Sequence, residues 1–155
     1  IDIPINGLFL VGVTLCVTAF VYFLIYRSRW GLQLRATNQN RFMSGAVGIN
    51  TKRVDSLTFA LGCGLAGIAG AAFTTIGSTG PTAGSLYIVD TFLVVVFGGA
   101  ASLLGTVASA FSIAQAQSIL EFFLSGSVAK VLTLATVIII LMLRPQGLFS
   151  IKVRK

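Results

Sequence analysis

Arg27-Ser28-Arg29-Trp30-Gly31-Leu32-Gln33-Leu34-Arg35-Ala36-Thr37-Asn38-Gln39-Asn40-Arg41 opens a polar stretch that closes at Lys52-Arg53. Arg27, Arg29, Arg35, Arg41, Lys52 and Arg53 fall within it, and the first acid is Asp55. Apolar runs long enough to cross a bilayer flank it on both sides. A short loop so biased towards Lys and Arg belongs on the cytoplasmic side of a membrane. The segment 27–55 is also longer than a connection between two helices requires, which predicts a cytoplasmic partner for it.

Composition agrees with a membrane setting. The 155 residues are 55% hydrophobic and 10% charged, with a mean hydropathy of +0.95. In a soluble domain about a quarter of residues are charged. The net charge of +7 suggests nucleic acid at first sight, but the bases sit where apolar runs end, and topology accounts for them. No nucleic-acid partner is expected. Cys16 and Cys63 lie in apolar runs and read as small hydrophobes. Histidine is absent and only four acids are present, so neither a metal site nor catalytic residues are expected, and no cofactor is. The chain starts Ile1-Asp2-Ile3-Pro4, without an initiator Met and without the features of a signal peptide. It is therefore expected to be the carboxyl-terminal part of a longer membrane protein.

The apolar runs predict an all-α, polytopic transmembrane bundle of about five membrane segments. The first span is 7–26, about 30 Å as a helix, with Tyr22, Tyr26 and Trp30 as an interfacial aromatic anchor. The second is 57–76, ended by the turn residues Gly77-Ser78-Thr79-Gly80-Pro81. From Thr91 to Leu120 no residue is charged, too much for one span and too little for two. Gly98-Gly99-Ala100-Ala101-Ser102 supplies a break, giving a half-helix at 88–97 and a helix at 103–120. The last span is 128–143, stopped by Arg144-Pro145. With this count, Lys152, Arg154 and Lys155 place the carboxyl terminus in the cytoplasm, whereas a single crossing from 88 to 120 would leave it outside. Irregular backbone at that depth is tolerable only where it is buried in protein or lines a cavity.

Small residues recur every four positions at Gly62, Ala66 and Gly70, and again at Ala101, Gly105 and Ser109, as helix-packing faces do in membranes. Gln115 and Gln117 lie deep in the fourth segment, and Thr74 and Thr75 near the outer end of the second. These four are the candidate solute path. Bonding between helices is the plainer role for the threonines, while for the glutamines both roles remain open. Asp90 and Glu121 fall at expected outer ends, and Glu121 is expected to pair with Lys130.

Trp30 to Asn40 followed by Gly48-Ile49, and then Ala66-Gly67-Ile68-Ala69-Gly70, resemble the permeases of the branched-chain amino acid ABC importer family. Tyr87-Ile88-Val89-Asp90-Thr91-Phe92-Leu93-Val94-Val95-Val96-Phe97-Gly98-Gly99, Arg144-Pro145-Gln146-Gly147-Leu148-Phe149 and Thr37 to Arg41 look most like its urea-transporting branch. One departure is Ala100-Ala101 where the family continues with a further Gly.

The resemblance implies a multi-pass subunit of the bacterial inner membrane. It would work with cytoplasmic ATP-binding subunits, a second permease subunit and a periplasmic substrate-binding protein. No Gly-x-x-x-x-Gly-Lys-[Ser/Thr] loop is present, so the chain is expected not to be the ATPase itself. Its coupling loop would comprise Gly31, Leu34, Arg35, Ala36, Asn40, Arg41, Phe42, Gly48 and Ile49, with one surface helix over 35–46 carrying Leu32, Ala36, Met43, Ala46 and Val47 roughly on one side. Gly98 and Gly99 would form a hinge. Urea is the implied solute, with a branched-chain amino acid as the alternative. A loop lying on anionic lipid competes with ATPase docking, and an ATP-independent channel or secondary transporter is the rival of another class.

Overall fold

The computed structural model describes residues 4–99 and 102–145. Ala100, Ala101, Gln146 to Phe149 and the basic tail at Lys152, Arg154 and Lys155 lie outside the described residues. Those described are helical, with no strand among them: α1 (Ile5–Arg27), α2 (Arg29–Gln39), α3 (Arg41–Ala46), α4 (Thr51–Phe73), α5 (Ala83–Gly98), α6 (Leu103–Phe123) and α7 (Gly126–Leu143). α1, α4, α6 and α7 are long and apolar enough to cross a bilayer, and α5 is a shorter apolar helix. The chain is thus an all-helical polytopic membrane protein. It divides into two units, Ile1–Thr79 and Gly80–Lys155.

In the first unit, capping residues set the boundaries more than hydropathy does. Ser28 is extended at φ −84°, ψ 148°, and its hydroxyl accepts from Trp30 N at 3.2 Å, so α1 stops and α2 begins within two residues. The single helix expected over 35–46 is instead two. Asn40 sits at φ −153°, ψ 99°, closing α2 and capping α3 by accepting from Met43 N at 3.1 Å. Asn competes for backbone partners in just this way, and so it favours caps over helix interiors. The expected common side of Leu32, Ala36, Met43, Ala46 and Val47 is broken with it. Asn50 then accepts from Arg53 N and starts α4 at Thr51, ahead of the expected 57. α4 ends at Phe73 rather than 76, and Thr74 and Thr75 donate to Ala71 O and Ala72 O at 2.6 and 2.7 Å.

In the second unit, α5 begins at Ala83, where 88 was expected. Asp90 therefore lies two turns inside this helix and not at its outer end. α5 stops at Gly98 because Gly99 takes φ +84°, a left-handed value that favours glycine. Ser102 restarts the chain as α6, its hydroxyl accepting from Gly105 N at 3.0 Å. α6 runs to Phe123 and α7 from Gly126, so the turn between them is shorter than 120 and 128 implied.

Candidate solute site and coupling segment

The segment expected to couple to an ATPase is built on a close approach of α1 and α2. A Cβ on Gly31 would lie 2.0 Å from the Ile25 carbonyl oxygen, so only glycine lets the two helices meet there. The Arg35 guanidinium stacks 5.1 Å from the centroid of the Tyr26 ring, holding the other side of the same corner. Leu34 and Ala36 are half-buried, and Thr37 is buried, donating to Gln33 O at 2.8 Å. Beyond Asn40, Arg41 forms an ion pair with Asp55 of α4. Ser44 is buried and donates to Asn40 O at 2.9 Å. Gly48 takes φ +93°, which turns the chain back so that Ile49 N reaches Ser44 O at 3.0 Å. α3 then presents Phe42, 88% exposed, with Met43 and the following Val47 exposed beside it.

Trp30 packs within the first unit. It is half-buried beside Leu24, Ser28, Leu57 and Leu61, with its indole Nε1 buried and without a hydrogen-bond partner. The small-residue face of α4 is open within this unit, with nothing within 4 Å of a Cβ placed on Gly62 or Gly70.

In the second unit, α5 and α6 are nearly in backbone contact. A Cβ on Gly98 would meet Gly105 O and Thr106 Cα at 2.6 Å each. One turn along, Ser109 is fully buried, its one hydroxyl proton shared between Val94 O of α5 and Thr106 O of its own helix, each at 2.8 Å. Gly105 and Ser109, from the expected small-residue face, are therefore both buried at this crossing.

α7 is joined to α5 by charge. Lys130 Nζ lies 3.0 Å from Asp90 Oδ2 and 5.7 Å from the centroid of the Tyr87 ring. This corrects the expected Glu121–Lys130 pair. Glu121 instead accepts from Gln117 Nε2 at 3.1 Å, one turn away on its own helix. Sequence distance favoured Glu121, but Asp90 sits inside α5, where a carboxylate needs a counter-ion more than one at a helix end does.

Below the pair, the helices leave a groove of about 200 Å³ between Phe97, Ile113, Ala116, Leu120, Thr133 and Val137. Thr133 spends its hydroxyl on Ala129 O at 2.9 Å, so the groove is apolar in character. Gln115 is exposed and not part of this lining, and Gln117 is occupied by Glu121. Thr74 and Thr75 belong to the other unit and bond to their own helix. The four candidate path residues therefore do not come together within either unit. The ion pair between Asp90 and Lys130 was not expected. The available signal was that Lys130 is the one basic residue on the described helices of this second unit, with Asp90 and Glu121 the two acids it could meet.

Four helices long and apolar enough to cross a bilayer, with a shorter apolar helix that stops at left-handed Gly99, define a polytopic helical membrane protein. The chain belongs to the family described as branched-chain amino acid transport system / permease component, whose profile matches residues 3–141. It is 30% identical to the high-affinity branched-chain amino acid transport system permease protein LivH of Salmonella typhimurium, over 88% of this chain and 44% of that one. It is 25% identical to the probable branched-chain amino acid transport permease protein LivH of Methanocaldococcus jannaschii, over 87% of this chain and 45% of the relative. The permease protein BraD of Pseudomonas aeruginosa is 28% identical over 89% of this chain and 45% of its own length. The chain thus spans less than half the length of these relatives. No solved structure matches it.

Proposed function

We propose that the chain is part of a permease subunit of an ATP-driven importer in the inner membrane, with its carboxyl terminus in the cytoplasm, and that the solute is a branched-chain amino acid. The observation that carries this is the family match over residues 3–141, together with relatives whose names give that solute. Cytoplasmic ATP-binding subunits, a second permease subunit and a periplasmic substrate-binding protein complete the assembly. α2 and α3 would dock on the ATPase, with Phe42 and Met43 as the apolar contact and Arg41 carrying motion into α4 through Asp55. The breaks at Gly98 and Gly99 would act as a hinge between α5 and α6.

A second reading has urea as the solute. It rests on the Tyr87 to Gly99 sequence and its resemblance to the urea-transporting branch. The full importer, reconstituted with its binding protein and supplied with ATP, is expected to accumulate labelled leucine. Urea uptake without leucine uptake would select the second reading. Uptake that persists without ATP would replace both with a channel or secondary transporter.

A further inference from the structure

Burying an ion pair among helices is expensive, and a well-packed apolar pair of similar size is often neutral or better for stability. Charged side chains inside membrane segments are accordingly rare and tend to mark solute or ion paths. Asp90 and Lys130 are such a pair, but they are not sealed. Their side chains remain 32% and 44% exposed, so atoms of both can be reached. Tyr87 lies one turn before Asp90 and adds its ring face to the Lys130 ammonium.

The position of the pair matters as much as its charge. Lys130, Thr133 and Val137 recur at the spacing of one α7 face, and the last two line the apolar groove. Asp90 is two turns before Phe97 on α5, and Phe97 lines the same groove. Both charges therefore stand at one end of the groove, on the side from which α5 and α7 enter.

We propose that Asp90 and Lys130 form the recognition pair for a small solute with hydrogen-bond donors at one end and an acceptor at the other, whose apolar part, where it has one, enters the Phe97–Val137 groove. This deepens the importer reading and rests on it. An aliphatic amino acid would set its ammonium on the Asp90 carboxylate and its carboxylate on the Lys130 ammonium. Urea would give its amino groups to Asp90 and take a hydrogen bond from Lys130 on its carbonyl. In either case the solute replaces the bond between the two side chains with two bonds of its own; the zwitterionic amino acid also supplies a counter-charge to each, whereas neutral urea supplies hydrogen bonds alone. At rest the two side chains hold each other 3.0 Å apart, where the solute would enter between them.

A pair that merely fastens α5 to α7 would look the same at rest, and exchanging the charges separates the two roles. The full importer, with saturating binding protein, is assayed for labelled leucine and labelled urea uptake and for ATP hydrolysis. Variants are Asp90→Asn, Lys130→Gln, and the double exchange Asp90→Lys with Lys130→Asp. Each is expected to lower uptake by about tenfold or more at near-parental ATP turnover, as loss of a charge-assisted bond to solute does. The solute whose uptake falls identifies which one the pair takes. Parental uptake by the exchanged variant, or by either neutral variant, overturns the proposal and leaves the importer standing. Uptake and ATP turnover falling together also overturn it, because the pair is then a fastener. A parental importer that moves neither solute removes the proposed function, and this site with it.

Discussion

Gly98 of α5 and Gly105 of α6 meet backbone to backbone, with the Gly105 carbonyl oxygen 2.6 Å from where a Gly98 side chain would begin. Backbone cannot retreat as a flexible side chain can, so Gly98→Ala must push α5 off α6. The expected loss is about 1–3 kcal/mol, the usual cost of overpacking. Heat inactivation of the detergent-solubilised assembly measures it. Gly84→Ala is the control, because nothing lies within 4 Å of a Cβ there and the change removes a helix-weakening glycine from α5. Equal stability for the two variants would refute the close crossing.

The same crossing depends on the Ser109 hydroxyl. Ser109→Ala removes the bond to Val94 O and leaves that carbonyl with its helical partner only. The expected cost is about 1 kcal/mol. Ser112→Ala is the comparison, since Ser112 bonds only to Ala108 O on its own helix. Its effect is expected to be within a few tenths of a kcal/mol, and thermal shifts of the two variants settle the difference.

At the other end of the chain, Gly31→Ala is expected to separate α1 from α2 while both helices persist. Its Cβ would fall 2.0 Å from Ile25 O, too close for any local relaxation. A cysteine pair reporting the α1–α2 distance should show the helices parting, and ATP-driven uptake should be lost. An unchanged distance would place the glycine elsewhere than at the contact.

Arg41 and Asp55 are both largely exposed, and such pairs contribute little to stability, roughly 0.2–1 kcal/mol. Their value is expected to be in coupling. Arg41→Glu should lower uptake per ATP hydrolysed, and adding Asp55→Arg should restore it. No restoration would mean that Arg41 acts through another group.

Phe42 is the most exposed aromatic side chain on the described residues, at 88%. Phe42→Ala is expected to leave membrane insertion and helix content unchanged while weakening co-purification with the ATPase. Arg35→Ala should act differently, because Arg35 stacks on Tyr26 and so orients α2. Uptake equal to the parent in both variants would remove the coupling role from this segment.

The helical class and the break at Gly98-Gly99 could be read from the sequence because hydropathy and glycine act locally. Helix starts were harder. Thr51 precedes the apolar run it leads into because Asn50 caps α4 by accepting from Arg53 N, while α5 starts at Ala83 after the Pro81-Thr82 turn with no side-chain cap. Asn40 caps α3 only because its backbone leaves the helical region, which its position in the polar stretch does not announce, so one helix was expected where two occur. The Asp90–Lys130 pair was out of reach for another reason. It joins α5 to α7 across the whole of α6, and nothing local distinguishes Asp90 from Glu121 as the partner. The glutamines looked polar and deep, but their direction around α6 is set by the Gly105–Ser109 contact, which turns Gln115 away from the groove.

The Asp90–Lys130 bond also bears on how the protein enters its bilayer. A lone aspartate at the middle of an inserting helix costs on the order of 2.5–3.5 kcal/mol, and α5 is short for a span. Its counter-ion belongs to α7, which emerges from the ribosome only after the whole of α6 has been made. α5 is therefore poorly suited to enter lipid by itself. It is expected to settle in lipid together with α6 and α7, once the lysine has been made.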